Sequence, residues 1–174
     1  METIEFIEIV SKISTPIVLG IAGFFINRNL VSYKTKQDLN VKLIEKRIAL
    51  YDEIACELND IYQFMIRVGA WKNMSPKDVI DKKRLVDKLI HQNRPYWSLQ
   101  FIDSYSDFMS ECFKINTGTG EDAKIAADTE KYVSLDSWAD KFNSMFTGEK
   151  ANKKNIRIKY EAFNVAVSND INPS

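Results

Sequence analysis

Hydrophobic and polar positions divide the chain into three stretches. The first lies in "KISTPIVLGIAGFFINR", where Ile13–Asn27 carries no charge over fifteen residues. That length falls between the ~20 apolar residues of a spanning helix and the 10–14 typical of a core helix. Upstream, Ile4, Phe6, Ile7, Ile9 and Val10 alternate with Glu2, Glu5 and Glu8, so Ile4–Ile26 offers 23 residues for a span. At ~1.5 Å per residue this crosses a hydrocarbon core of ~30 Å. Glu5, Glu8 and Lys12 lie near one end, where long side chains reach the interface. The acidic start and the lack of a small-residue cleavage site argue against a secretory signal peptide. Arg28, Lys34 and Lys36 follow the run with no acid until Asp38. The positive-inside rule then predicts a single pass through a membrane, N-terminus outside and the bulk of the chain in the cytoplasm. A core or interfacial helix is the competing reading.

Glu5, Glu8, Lys12 and Thr15 recur at steps of three, four and three, which places them on one helix face. In an oligomer that face would turn inward and line a pore, since rings of charged side chains select ions. On a monomer the same residues would form a polar turn at the lipid surface.

The second stretch, residues 27–68, contains no Gly or Pro. Ile44, Ile48, Tyr51, Ile54, Leu58, Ile61, Met65 and Val68 recur at gaps of three and four, close to a heptad stripe. Such a stripe packs either on its own domain or against another subunit. Gly69 breaks the pattern.

In the third stretch, Ser75, Pro76 and Asp78 form a helix start, and the apolar spacing predicts a helix over 76–92. A further helix is predicted over 98–115, burying Leu99, Ile102, Tyr105, Phe108, Met109, Cys112 and Phe113. Another is predicted over 135–146, with Leu135, Trp138, Phe142, Met145 and Phe146 inward. "IRIKYEAF" alternates as a strand would, yet Ile156, Tyr160, Phe163 and Val167 keep helical spacing, and no partner strand is evident, so a helix is predicted. The expected fold is all-α. An N-terminal transmembrane helix (1–28) continues into a long amphipathic helix, followed by a cytoplasmic bundle of four or five helices (29–170).

Twenty-four basic residues balance twenty-four acidic ones, which argues against a general DNA-coating protein. Cys56 and Cys112 fall on apolar helix faces and read as reduced, buried thiols. The single histidine, His91, has no companions at metal-ligand spacing, and no nucleophile–base set or nucleotide-binding fingerprint is present. The chain is therefore expected to be neither an enzyme nor the holder of a cofactor or metal. Candidates for binding a phosphate-bearing ligand are cationic and aromatic. Lys82, Lys83 and Arg84 are consecutive, Arg94 stands beside Tyr96 and Trp97, Trp71 precedes Lys72, and Lys124 follows the Gly118–Gly120 loop. An ordinary solvated helix face, with Tyr96 and Trp97 in the core, is the alternative.

"NVKLIEKRIALYDEIACELNDIYQFM", "VGAWKNMSPKDVIDKKR", "YSDFMSECF" and "GTGEDAKI" together resemble a family of small bacterial membrane-anchored proteins, over roughly residues 15–146. The general design also resembles transmembrane effectors of antiphage defence, and the nearest is the membrane effector of Hailong-type systems. The resemblance implies a homo-oligomer, with a tetramer favoured, that permeabilises the inner membrane as a channel or pore. It also implies control by a nucleotide or single-stranded oligonucleotide made by a partner nucleotidyltransferase. It carries no site residue over. The expected function is thus a ligand-gated membrane effector. The alternative is a membrane-tethered helical adaptor that recruits a protein partner through the stripe at 44–68.

Overall fold

The computed structural model describes residues 2–114, 123–135 and 137–172, and for residues 2–22 the backbone alone. The chain divides into two compact units, Met1–Leu43 and Ile44–Ser174. Helix α1 covers Glu2–Ile66, α2 Pro76–Gln92, α3 Leu99–Cys112 and α4 Lys153–Ile171. Two-residue strands, β1 (Phe113–Lys114) and β2 (Lys124–Ile125), pair antiparallel, with Phe113 opposite Ile125.

In the first unit, Phe24, Phe25, Ile26, Leu30, Val31, Tyr33, Leu39 and Val41 are all exposed. No helix is long and apolar enough to cross a membrane among the described residues. The expected span over 4–26 falls mostly on residues 2–22, whose side chains lie outside the described residues, as do those of Glu5, Glu8, Lys12 and Thr15.

The second unit has one hydrophobic core. From Leu50 onward α1 buries Ile54, Leu58, Ile61, Phe64, Met65 and Ile66. The stripe at 44–68 is therefore largely spent on its own domain, and only Ile48 and Val68 along it remain exposed. α2 adds Val79, Ile80, Val86 and Ile90, and α3 adds Phe101, Ile102, Tyr105, Phe108, Met109 and Cys112. α3 and α4 meet through aromatic rings, Phe101 with Phe163 at 5.2 Å between centroids and Phe108 with Tyr160 at 5.1 Å. The helical spacing of Ile156, Phe163 and Val167 is realised, since all three are buried on α4.

Local chemistry sets the helix ends. α2 starts in a capping box: the Ser75 side chain accepts from Asp78 N–H while the Asp78 carboxylate accepts from Ser75 N–H at 2.8 Å, and Pro76 opens the helix. Ser98 caps α3 in the same way, accepting from Phe101 N–H at 3.1 Å. α1 ends in a Schellman turn, with Val68 N–H donating to the Gln63 carbonyl at 3.1 Å. The residue in the left-handed position of that turn is Arg67 (φ 60°) rather than a glycine, and Gly69 (φ 59°) supplies a second positive φ two residues later.

Three expectations are corrected. The helix expected over 135–146 is a series of turns ending in a 3-10 helix, Asp140–Met145. Side chains of Ser134, Asn143 and Ser144 donate to carbonyls three residues back, and Thr147 N–H and Gly148 N–H donate to the carbonyls of Ile125 and Ala127. Local side-chain bonds and pairing along residues 125–127 thus replace the α-helical ladder. Leu135, Phe142 and Phe146 are nevertheless buried. Leu99 is 74% exposed, because it follows the Ser98 cap on the side away from the core. Cys56 is exposed on α1, whereas Cys112 is buried as expected; both are free thiols.

Candidate functional site

The consecutive cations of α2 point in different directions, as residues 100° apart on a helix must. Lys82 turns to α1, where its ammonium pairs with Glu57 at 2.5 Å and Asp60 at 2.8 Å. Burial works against that charge, but the hydrogen bonds to Asp60 and Glu57 outweigh it and raise the Lys82 pKa. Lys83 is buried at 6% exposure; its ammonium pairs with Asp87 at 2.5 Å and lies over the Phe113 ring, 5.6 Å from its centroid. The second Asp87 oxygen accepts from the Tyr105 hydroxyl at 2.5 Å. Burial, followed by the charge and hydrogen bond of Asp87, pushes the Tyr105 hydroxyl far above its ordinary range. Lys82 thus ties α2 to α1, and Asp87, held by Lys83, ties α2 to α3.

Arg84 faces the other way. Its guanidinium pairs with Asp81 at 2.9 Å, and Asp81 also accepts from Lys77. The Lys77 hydrogen bond leads in holding the Asp81 carboxyl below its ordinary range. Arg84, Lys77 and Asp81 line a cavity of about 340 Å³ together with Lys124 of β2, Ile80 and Met145. Of the six expected ligand-binding residues, the fold therefore brings Arg84 and Lys124 to one cavity. Gly118 and Gly120, the expected anion nest, lie outside the described residues.

Arg94 is exposed in a 3-10 turn, Arg94–Tyr96. Trp97 is buried, its indole stacked on Phe101 at 4.0 Å and 5° between planes, so that face is closed to a nucleobase. Its Nε1 has no hydrogen-bond partner among the described residues. Trp71 lies edge-on to Tyr132 at 5.8 Å, with Lys72 over its ring. His91 is exposed at the end of α2, and Asp87, one turn before it, is engaged by Lys83 and Tyr105 instead.

Sequence reasoning missed a second group of cations. Arg67, Lys131 and the neighbouring Lys150 and Lys153 come from three separate places in the chain and line one cavity of about 270 Å³. No spacing rule connects them. The one local signal is the bulky Arg67 at a helix end where glycine is the rule.

The chain matches no protein-family model, and no curated protein and no solved structure is similar to it.

Proposed function

We propose that the protein is a homo-oligomeric inner-membrane effector of antiphage defence, a ligand-gated channel or pore controlled by a nucleotide or oligonucleotide signal. The observation that carries this reading is the apolar surface at the start of the described side chains. Phe24, Phe25 and Ile26, at the end of the uncharged run that begins at Ile13, and Leu30 and Val31, just beyond it, stand more than half exposed. A helix that leaves aromatic and branched side chains to water on all sides needs a cover, and a bilayer or a ring of identical helices supplies one. Arg28, Lys34 and Lys36 follow, the charge pattern of a cytoplasmic flank. The resemblance to Hailong-type effectors agrees with this arrangement.

In the proposed mechanism Glu5, Glu8, Lys12 and Thr15 line the mouth of the conduction path. The domain from Ile44 onward responds to the ligand. Gating requires the ligand to bind one assembly state more tightly than the other. Fractionation of cells making the full chain tests the reading. The protein should remain in membranes after alkaline carbonate washing and leave them in detergent as a multiple of the 20.1 kDa chain. Recovery in the soluble fraction without detergent would sink it.

A further inference from the structure

A cavity beside the end of α1 gathers four cations. Arg67 and Lys153 converge on it from the end of α1 and the first residue of α4, and Lys131 and Lys150 from the intervening segments. Two carboxylates share the cavity, Asp128 and Glu130. Glu130 is paired with Lys131 at 2.9 Å, and Asp128 accepts from the Glu130 backbone N–H at 3.2 Å. Four cations against two carboxylates leave the cavity positive. The Lys153 ammonium donates to the Ile66 carbonyl at 2.7 Å. Burial, and then the charges of the neighbouring Arg67 and Arg157, depress its pKa.

Arg67 supplies an independent argument. Its φ of 60° is the left-handed conformation, in which a residue with a Cβ is strained and glycine is not. The guanidinium is held 5.8 Å from the centroid of the Tyr132 ring, and Tyr132 is itself buried and stacked on Phe64 at 4.8 Å. A strained backbone that keeps a positioned guanidinium at a cavity wall points to a use for that guanidinium.

We infer that the cavity lined by Arg67, Lys131, Lys150 and Lys153 binds a phosphate or pyrophosphate group. Its volume of about 270 Å³ admits such a group but not a whole oligonucleotide, so a nucleotide would present its phosphates here and hold its base outside. Arg presents a planar fork to phosphate oxygens and Lys a point charge, so the set suits that anion. The inference deepens the ligand-controlled reading and rests on it only for the consequence of binding.

Calorimetric titration of the full chain in detergent with inorganic pyrophosphate, and separately with a 5′-phosphorylated trinucleotide, tests the site without any transport measurement. Saturable binding of one molecule per chain is expected for at least one of the two. The arm that binds distinguishes a free phosphate compound from a nucleotide. Arg67→Gly should weaken it at least tenfold while leaving the melting temperature unchanged or higher, because glycine suits the left-handed turn. Lys150→Gln, at an exposed position, should weaken binding without altering the fold. Absence of binding of both probes, or wild-type affinity in both variants, would overturn the site. A chain that binds but conducts no ions would overturn the channel reading alone, and one that conducts but binds neither probe would overturn the site alone.

Discussion

The Arg47 guanidinium donates to the Asp170 carbonyl at 2.7 Å across 123 residues of sequence, and the Asp170 carboxylate lies 3.8 Å away. The same guanidinium donates through Nε to the Tyr96 carbonyl at 2.6 Å, and the other Asp170 oxygen accepts from Ser98 N–H at 2.9 Å. The partly buried Arg47 and the buried Asp170 therefore tie α1, the Arg94–Tyr96 turn, the start of α3 and the end of α4. Removing the Asp170 carboxylate leaves the Arg47 charge without its counter-ion and orphans the Ser98 N–H. Asp170→Ala should destabilise the domain by about 2–4 kcal/mol. Asp170→Asn, which keeps an acceptor for Ser98, should cost about half as much in a urea titration. Equal loss in both variants would contradict the account.

Lys82 bridges two carboxylates one helix turn apart on α1. Lys82→Met should cost about 1–2 kcal/mol, between the values of exposed and buried pairs, because Glu57 and Asp60 then face each other unbridged. The raised Lys82 pKa fixes the sign of its pH dependence. Its contribution is fully present below the ordinary value of 10.5 and is lost as pH rises through the higher folded value. The stability difference between wild type and Lys82→Met should therefore be constant through neutral pH and shrink only above 10.5.

The buried tyrosines set a second alkaline limit. Burial pushes Tyr160 up to about 12, with Tyr51 and Tyr62 adding to it, and burial raises Tyr105 and Tyr132 further. Unfolded tyrosines ionise near 10.0, so above that pH the unfolded chain releases protons that the folded chain retains, and folding weakens as pH rises. Tyrosinate absorbance at 295 nm should develop in two steps, exposed tyrosines first and the buried set only on unfolding. A single step near 10 for all tyrosines would show that these rings are not buried.

Gly69 is held at φ 59°, and a Cβ there would collide with the Gln63 side-chain amide, which accepts from Ala70 N–H at 3.1 Å. Gly69→Ala should lower stability by at least about 1 kcal/mol, measured by thermal unfolding. Gly148, also at positive φ but with open space around its Cα, should show the backbone strain without the collision.

Much of the helical framework was legible because its signals are local. Ser75, Pro76 and Asp78 mark the start of α2, and the spacing of Ile156, Phe163 and Val167 marks α4. Where pairing between distant segments decides, the pattern misleads. Leu135 to Phe146 has the apolar content of a helix, but Phe146 bridges Ile125 and the backbone follows. Charge was the least legible feature. "KKR" reads as a solvated patch, yet Lys82 and Lys83 are committed to Glu57, Asp60 and Asp87 on the same or neighbouring helices. The cations that gather at one cavity instead, Arg67, Lys131, Lys150 and Lys153, are separated by up to 86 positions and share no motif.

Ion flux across liposomes containing the purified full chain is the decisive measurement for a channel. A conductance above that of empty liposomes is expected in one of two conditions, with or without a 5′-phosphorylated oligonucleotide, together with a change in cation-to-anion selectivity in a Glu5→Gln, Glu8→Gln, Lys12→Gln variant. Inserted protein that passes no ions in either condition would contradict it.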